Sequence, residues 1–127
     1  MQADFNSTAR ALGEFFEDWD IILTPVTALP TPKVGTTEYL TISDNPSVAD
    51  WFENIWKFFS FTPLANLCGI PAISLPLAEL DHGLPLGVQA IARQANDGLL
   101  LQLAAQIERA IRGQWNSGRR PKVHVTN

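Results

Sequence analysis

The chain has 127 residues, 46 % of them hydrophobic and 17 % charged, with a formal net charge of −4. That is long enough for one core and too apolar for a disordered chain, while the acidic balance gives no basic field for nucleic acid. The single cysteine, Cys68, excludes an internal disulfide and suits a cytoplasmic setting.

Residues 7 to 19, STARALGEFFEDW, place Thr8, Leu12, Phe15, Phe16 and Trp19 at helical spacing, with Asn6 or Ser7 able to cap the start. Glu14, Glu17, Asp18 and Asp20 interrupt the apolar residues, so no secretory signal is read here. DIILTP, ended by Pro25, is too short for a helix and predicts a buried strand. The following VTALPTPKVGTTEYL reads as a proline-rich loop.

A second helix is signalled by Asn45 as N-cap and Pro46 at the first helical position. Val48, Trp51, Phe52, Ile55, Trp56 and Phe59 give it one wide apolar stripe, the mark of a core-facing helix. Its aromatic load also fits a pocket wall.

FTPLANLCGIPAISLP, residues 61 to 76, reads as a loop turning into a buried strand over AISLP. PLGVQAIAR puts Leu86, Val88, Ala90 and Ala92 on one face and Gly87, Gln89, Ile91 and Arg93 on the other. The polar LAELDHGL between them predicts an antiparallel hairpin. Asn96 or Asp97 then caps a helix bearing Leu99, Leu100, Leu103, Ala104, Ile107, Ala110 and Ile111, which Gly113 stops. The tail from about residue 114, including Trp115, is loop-like, and no apolar run reaches the roughly 20 residues of a membrane helix. The expected class is α/β.

Chemistry is scarce. Cys68 is the obvious nucleophile, but its possible bases are His82, in a turn beside Asp81, and His124, near the terminus. Cys68 sits between Leu67 and Gly69-Ile70, where a free cysteine behaves as a small apolar filler. The two histidines lie too far apart in sequence for a zinc site, and the glycines are too dispersed for a phosphate-binding loop. Neither metal nor cofactor is expected. Lys33, Lys57 and Lys122 stand near no serine in a glycine-rich turn that could build an oxyanion hole. The chain alone therefore carries no catalytic set.

FTPLANLCGIPAISLP and GLPLGVQAIAR together resemble the C-terminal part of the amidase signature family. Thr62, Asn66, Gly69, Pro71, Ala72, Ser74 and Pro76 match one family stretch, and Gly83, Leu84, Pro85, Gly87 and Gln89 match the next. The similarity runs from about residue 9 to about residue 112 in the family's order and spacing. It implies a mixed sheet flanked by helices and, over residues 1–127, a C-terminal fragment of an amidase domain. It also implies amide hydrolysis by a Ser–cis-Ser–Lys triad lying outside this chain, and it makes Cys68 a packing residue. Glutamine-using members place an acidic residue a few positions before Thr-Pro, where this chain has WKFFSFTP and no carboxylate nearer than Glu53. A small apolar or aromatic amide is the implied substrate of the parent enzyme, with Trp56 and Phe59 as substrate-binding walls; both fit ordinary core equally well. The implied partner is the missing N-terminal portion or a second copy in a homodimer, with neither membrane nor nucleic acid. The alternative is a free-standing α/β interaction module that pairs through a sheet edge without catalysis.

Overall fold

A computed structural model describes residues 2–32, 47–80 and 84–111, and the side chains from residue 6 onward. In chain order its elements are α1 (Gln2–Asp18), β1 (Ile21–Pro25), α2 (Val48–Phe58), α3 (Pro63–Cys68), β2 (Ala72–Glu79), β3 (Pro85–Ala92) and α4 (Asp97–Ala110). This is the expected α/β class.

The three strands form one sheet in the order β1-β3-β2, and β3 pairs antiparallel with both neighbours. β1 and β2 therefore run in the same direction on either side of β3. The predicted hairpin of β2 and β3 is present, closed by the Leu80 N–H donating to the Leu84 carbonyl at 2.9 Å. Residues 81–83, with His82, lie outside the described residues, as do Asn45, Pro46, Gly113, Trp115 and His124.

Register assigns the faces. Ile21 and Leu23 of β1 stand opposite Ala92 and Ala90, and Ile73 and Leu75 of β2 stand opposite Ala90 and Val88. Directly opposed residues share a face, so this side of the sheet is aliphatic. α4 covers it. Ala90, Ala92 and Leu100 are the buried centre, with Ile21, Ile73, Leu99 and Leu103 packed around them. The small alanines let α4 approach the middle strand closely. On the other face Ile91 is fully buried as well. Strand β3 is thus enclosed on both sides, as a central strand must be.

Several boundaries differ from the sequence reading. α1 begins at Gln2, so Asn6 and Ser7 lie inside the helix and do not cap it. Of its apolar positions Phe16 is buried, whereas Phe15 and Trp19 are exposed and stack on each other at 6.2 Å. α2 begins after Ser47, whose Oγ accepts from the Asp50 N–H at 3.1 Å. A serine hydroxyl at this position satisfies one of the orphan N–H groups of the first turn, the role the sequence reading gave to Asn45. α4 has Asn96 at its N-cap position without a side-chain cap bond, and it ends at Ala110 with Ile111 as C-cap.

The stretch read as a loop contains a helix. α3 starts with Pro63 at its first position and stops at Gly69, whose φ of 64° is left-handed. Proline has no N–H to lose there and glycine takes the left-handed turn without a Cβ clash, so the two residues bracket one short helix. The sequence reading, a loop leading into a strand, missed the turn and a half of helix between them. α1 packs against α3.

Strand β2 also continues past Pro76, which was expected to close it. Leu75 pairs with Val88 and Ala78 with Leu86, so Pro76 and Leu77 together face the single residue Gly87. This is a bulge on a strand at the sheet's edge, a place where proline's missing N–H removes no ladder bond. Gly87 is closely approached at the same point. A Cβ there would lie 2.8 Å from Val26 Cγ2 and 3.1 Å from Ser74 Oγ, and the Val26 N–H donates to the Gly87 carbonyl at 3.0 Å. Among the described residues no helix is long and apolar enough to cross a membrane.

Candidate functional site

The stretch from the end of α2 to the start of β2 carries most of the residues singled out by sequence. It is held at both ends by backbone bonds. The Ala28 N–H, in the loop after β1, donates to the Phe58 carbonyl at 2.9 Å, and the Ala92 N–H donates to the Pro71 carbonyl at 3.1 Å. Within it the Ile70 N–H donates to the Ala65 carbonyl at 3.1 Å, closing α3 over Gly69. The segment is therefore fixed to the sheet, although it carries little regular structure of its own.

Trp56 and Phe59 stand three positions apart at the C-terminal end of α2. Trp56 is half exposed, and Phe59 is half buried with its ring edge-on to that of Phe58 at 4.8 Å. The anchor of this end is Phe58, which the stripe reading did not single out and which is the buried residue of α2. Ser60 Oγ donates to the Trp56 carbonyl at 2.7 Å, with a longer contact to the Lys57 carbonyl at 3.3 Å. That hydroxyl satisfies helix-end carbonyls, so it is engaged in capping.

Cys68 is the last residue of α3 and is half buried. Both histidines proposed as its bases fall outside the described residues. Lys57, the one lysine among the described residues, forms an exposed ion pair with Glu53 at 2.7 Å, one turn apart on α2. Glu53, the nearest carboxylate in sequence before the Thr62-Pro63 step, is thus already engaged. Among the described residues no group of three His, Cys, Asp or Glu side chains is placed to hold a metal ion.

The face of the sheet away from α4 holds a feature that strand-by-strand reading did not reveal. Thr24, Gln89 and Ser74 are in register across the three strands, a polar row on a sheet otherwise lined by aliphatic side chains. Gln89 is buried and its Nε2 donates to Thr24 Oγ1 at 3.4 Å. A buried amide without a partner would cost about 1–3 kcal/mol, so the Thr24 hydroxyl is a reason for Gln89 to be tolerated at the centre. Ser74 is the exposed member of the row.

Comparison with known proteins identifies the assembly. The amidase family model matches residues 1–101. AmiC of Mycobacterium leprae, which carries the name of an amidase, is 41 % identical over 101 residues, 80 % of this chain and 20 % of its own length. The 6-aminohexanoate-cyclic-dimer hydrolase of Paenarthrobacter ureafaciens is 35 % identical over 106 residues, 83 % of this chain and 21 % of that protein. Among solved structures, a 6-aminohexanoate cyclic dimer hydrolase superposes with a TM-score of 0.73 at 28 % identity, covering 94 % of this chain and 25 % of the neighbour. One subunit of the glutamyl-tRNA(Gln) amidotransferase of Thermotoga maritima gives a TM-score of 0.63 at 30 % identity, covering 89 % of this chain and 22 % of that one. The chain spans about a fifth of the length of the curated relatives it matches. The bulged hairpin, the α3 turn and the aromatic end of α2 are thus parts of a known fold, and the chain belongs to the amidase family.

Proposed function

We propose that the chain is the C-terminal segment of an enzyme that hydrolyses carboxylic amides, contributing sheet strands and one wall of the substrate pocket while the Ser–cis-Ser–Lys machinery lies outside it. The observation that carries this reading is the superposition of nearly the whole chain on a quarter of an amide-hydrolysing relative. Lys57, the described lysine, is ion-paired in solvent, whereas a catalytic base must be neutral and near a hydroxyl. The setting we assign is cytoplasmic, where the one thiol of Cys68 stays reduced, and the chain completes itself with an upstream portion or a second copy.

For the substrate we favour a small apolar or aromatic amide, held against Trp56 and Phe59. An ammonium-bearing substrate would require a buried counter-charge, and Glu53, the carboxylate nearest in sequence before Thr62-Pro63, is exposed and paired with Lys57. The name of one relative supports the choice, since a cyclic dimer of 6-aminohexanoate is an uncharged amide with methylene spacers.

The test is to co-express the chain with the upstream portion of Mycobacterium leprae AmiC and to measure turnover of an aromatic anilide and a short aliphatic amide. The expected result is turnover by the pair and none by either part. Trp56→Ala should then lower kcat/KM for the anilide by about tenfold relative to the aliphatic amide, the scale set by losing apolar pocket contact. Turnover by the isolated chain, tracking with the protein through gel filtration, would overturn the proposal. An equal loss on both substrates would remove Trp56 from the pocket wall.

A further inference from the structure

α2 presents three distinct longitudinal strips. Trp51, Ile55 and Phe58 are its half-buried to buried side. Glu53 and Lys57, bridged by their ion pair, mark a solvated side. Between them Val48, Phe52 and Trp56 recur every fourth residue, a row about 12 Å long at the rise of an α-helix. All three lie open, at 72 %, 49 % and 50 % exposure. A helix that is apolar on more than its core-facing stripe is normally covered on the additional side too. Large apolar side chains aligned in a row are also not the scattered exposed residues that need no explanation.

The superposition indicates what covers them. It takes in 94 % of the chain, and what it leaves out is shorter than the 11 residues of α2. At least part of α2 therefore has a counterpart inside a fold of which three-quarters lies beyond the matched region. A second copy seated on the same row would compete with that remainder. From this we infer that the Val48–Phe52–Trp56 row is the docking surface for the upstream portion of an amidase fold. That portion seats on Val48 and Phe52, and Trp56, at the far end of the row, stays at the rim of the pocket. The inference rests on the functional reading above and sharpens it by naming the partner and the surface.

The experiment uses the whole chain co-expressed with the upstream portion of Mycobacterium leprae AmiC, with assembly read by mass in solution. A 1:1 complex is expected, weakened at least about tenfold by the Val48→Asp/Phe52→Asp pair and unchanged by Glu53→Gln on the solvated side. Hydroxyl-radical labelling of the unmodified proteins gives a second reading that no substitution can disturb. Phe52 should label readily in the isolated chain and be protected in the complex. A homodimer broken by the same substitutions would assign the row to a second copy and overturn the proposal. So would the absence of any complex, a complex indifferent to the substitutions, or one in which Phe52 labels as before. Turnover measured on the same samples separates the two readings. A row-dependent complex inert toward amides removes the functional proposal alone, and turnover by a row-indifferent complex removes the docking proposal alone.

Discussion

Strand β3 and helix α2 are both strongly apolar, yet they end in opposite environments. Ala90, Ile91 and Ala92 of β3 are completely shielded, whereas Val48, Phe52 and Trp56 of α2 are open. The difference lies in what the chain supplies around each element. β3 has a hydrogen-bonded strand on each side and α4 on one face, all from within these 127 residues. α2 is tied in by its Phe58 carbonyl, and its outer row is left half open or nearly so by the described residues. Hydrophobic patterning states a demand for burial. Whether the demand is met depends on how much of the fold is present, and this chain matches about a quarter of a solved relative.

The comparison breaks most directly at Ile91, which is fully buried in the middle of the sheet. Ile91→Ala should destabilise the chain by about 2–5 kcal/mol, since it removes a large buried side chain and leaves a cavity the strands cannot close. Urea titration followed by circular dichroism would measure it. A loss below about 1 kcal/mol would mean that β3 is not the centre of the core.

The next effect in size is at Gly87, where the backbone itself is approached. Gly87→Ala places a methyl 2.8 Å from Val26 Cγ2 and 3.1 Å from Ser74 Oγ, so neighbours on both sides must yield. The expected cost is about 1–3 kcal/mol, the range for overpacking. If Val26→Ala in the same chain restores most of it, the clash is with that side chain. No recovery would point to the bulge opposite Gly87 as the source.

How much could be read in advance follows from the same contrast. The hairpin, its antiparallel sense and the α4 stripe were legible, because the short polar turn over 77–84 and helical spacing over 99–111 are local signals that the tertiary fold obeys. Pro63 and Gly69 bracket α3, but six residues offer too little periodicity to declare a helix, and the stretch read as a loop. Pro76 misled for an instructive reason. Proline ends a central strand but is tolerated at a bulge on an edge, and edge position is a property of the sheet. Of the candidate site, the motif residues Ser74 and Gln89 were in view, while their alignment with Thr24 depends on register between strands far apart in sequence. The α2 stripe is one face in the sequence, and its division into a covered and an open side depends on the tertiary fold.

A smaller effect is expected in the turn that leads from β3 into α4. Ala95 has a φ of 63°, the one left-handed residue other than glycine among the described residues. An L side chain there is strained by roughly 1–2 kcal/mol, partly offset in a glycine variant by the greater entropy of its unfolded chain. Ala95→Gly should therefore stabilise the chain by about 0.5–1 kcal/mol, read as a higher urea midpoint at unchanged slope. A lower midpoint would show that the Ala95 methyl makes compensating contacts.

The smallest change is expected at Phe52, and its smallness is the point. The side chain is as bulky as any in the core, so by size alone Phe52→Ser would resemble the loss at Ile91. It is 49 % exposed, however, and its row faces away from the buried Phe58 side of the helix. In the isolated chain the substitution removes apolar surface about half of which folding leaves in contact with water, the ring contact of Phe52 is with Trp51 of the same helix at 5.1 Å, and serine differs only modestly from phenylalanine in helix propensity. The expected change in stability is within about 0.5 kcal/mol, the range of ordinary surface substitutions. The decisive measurement is the urea midpoint of the Phe52→Ser chain, taken at several protein concentrations. A loss of more than about 2 kcal/mol that does not vary with concentration would place Phe52 in the chain's own core, and α2 would then join β3 as an element whose demand for burial is met from within.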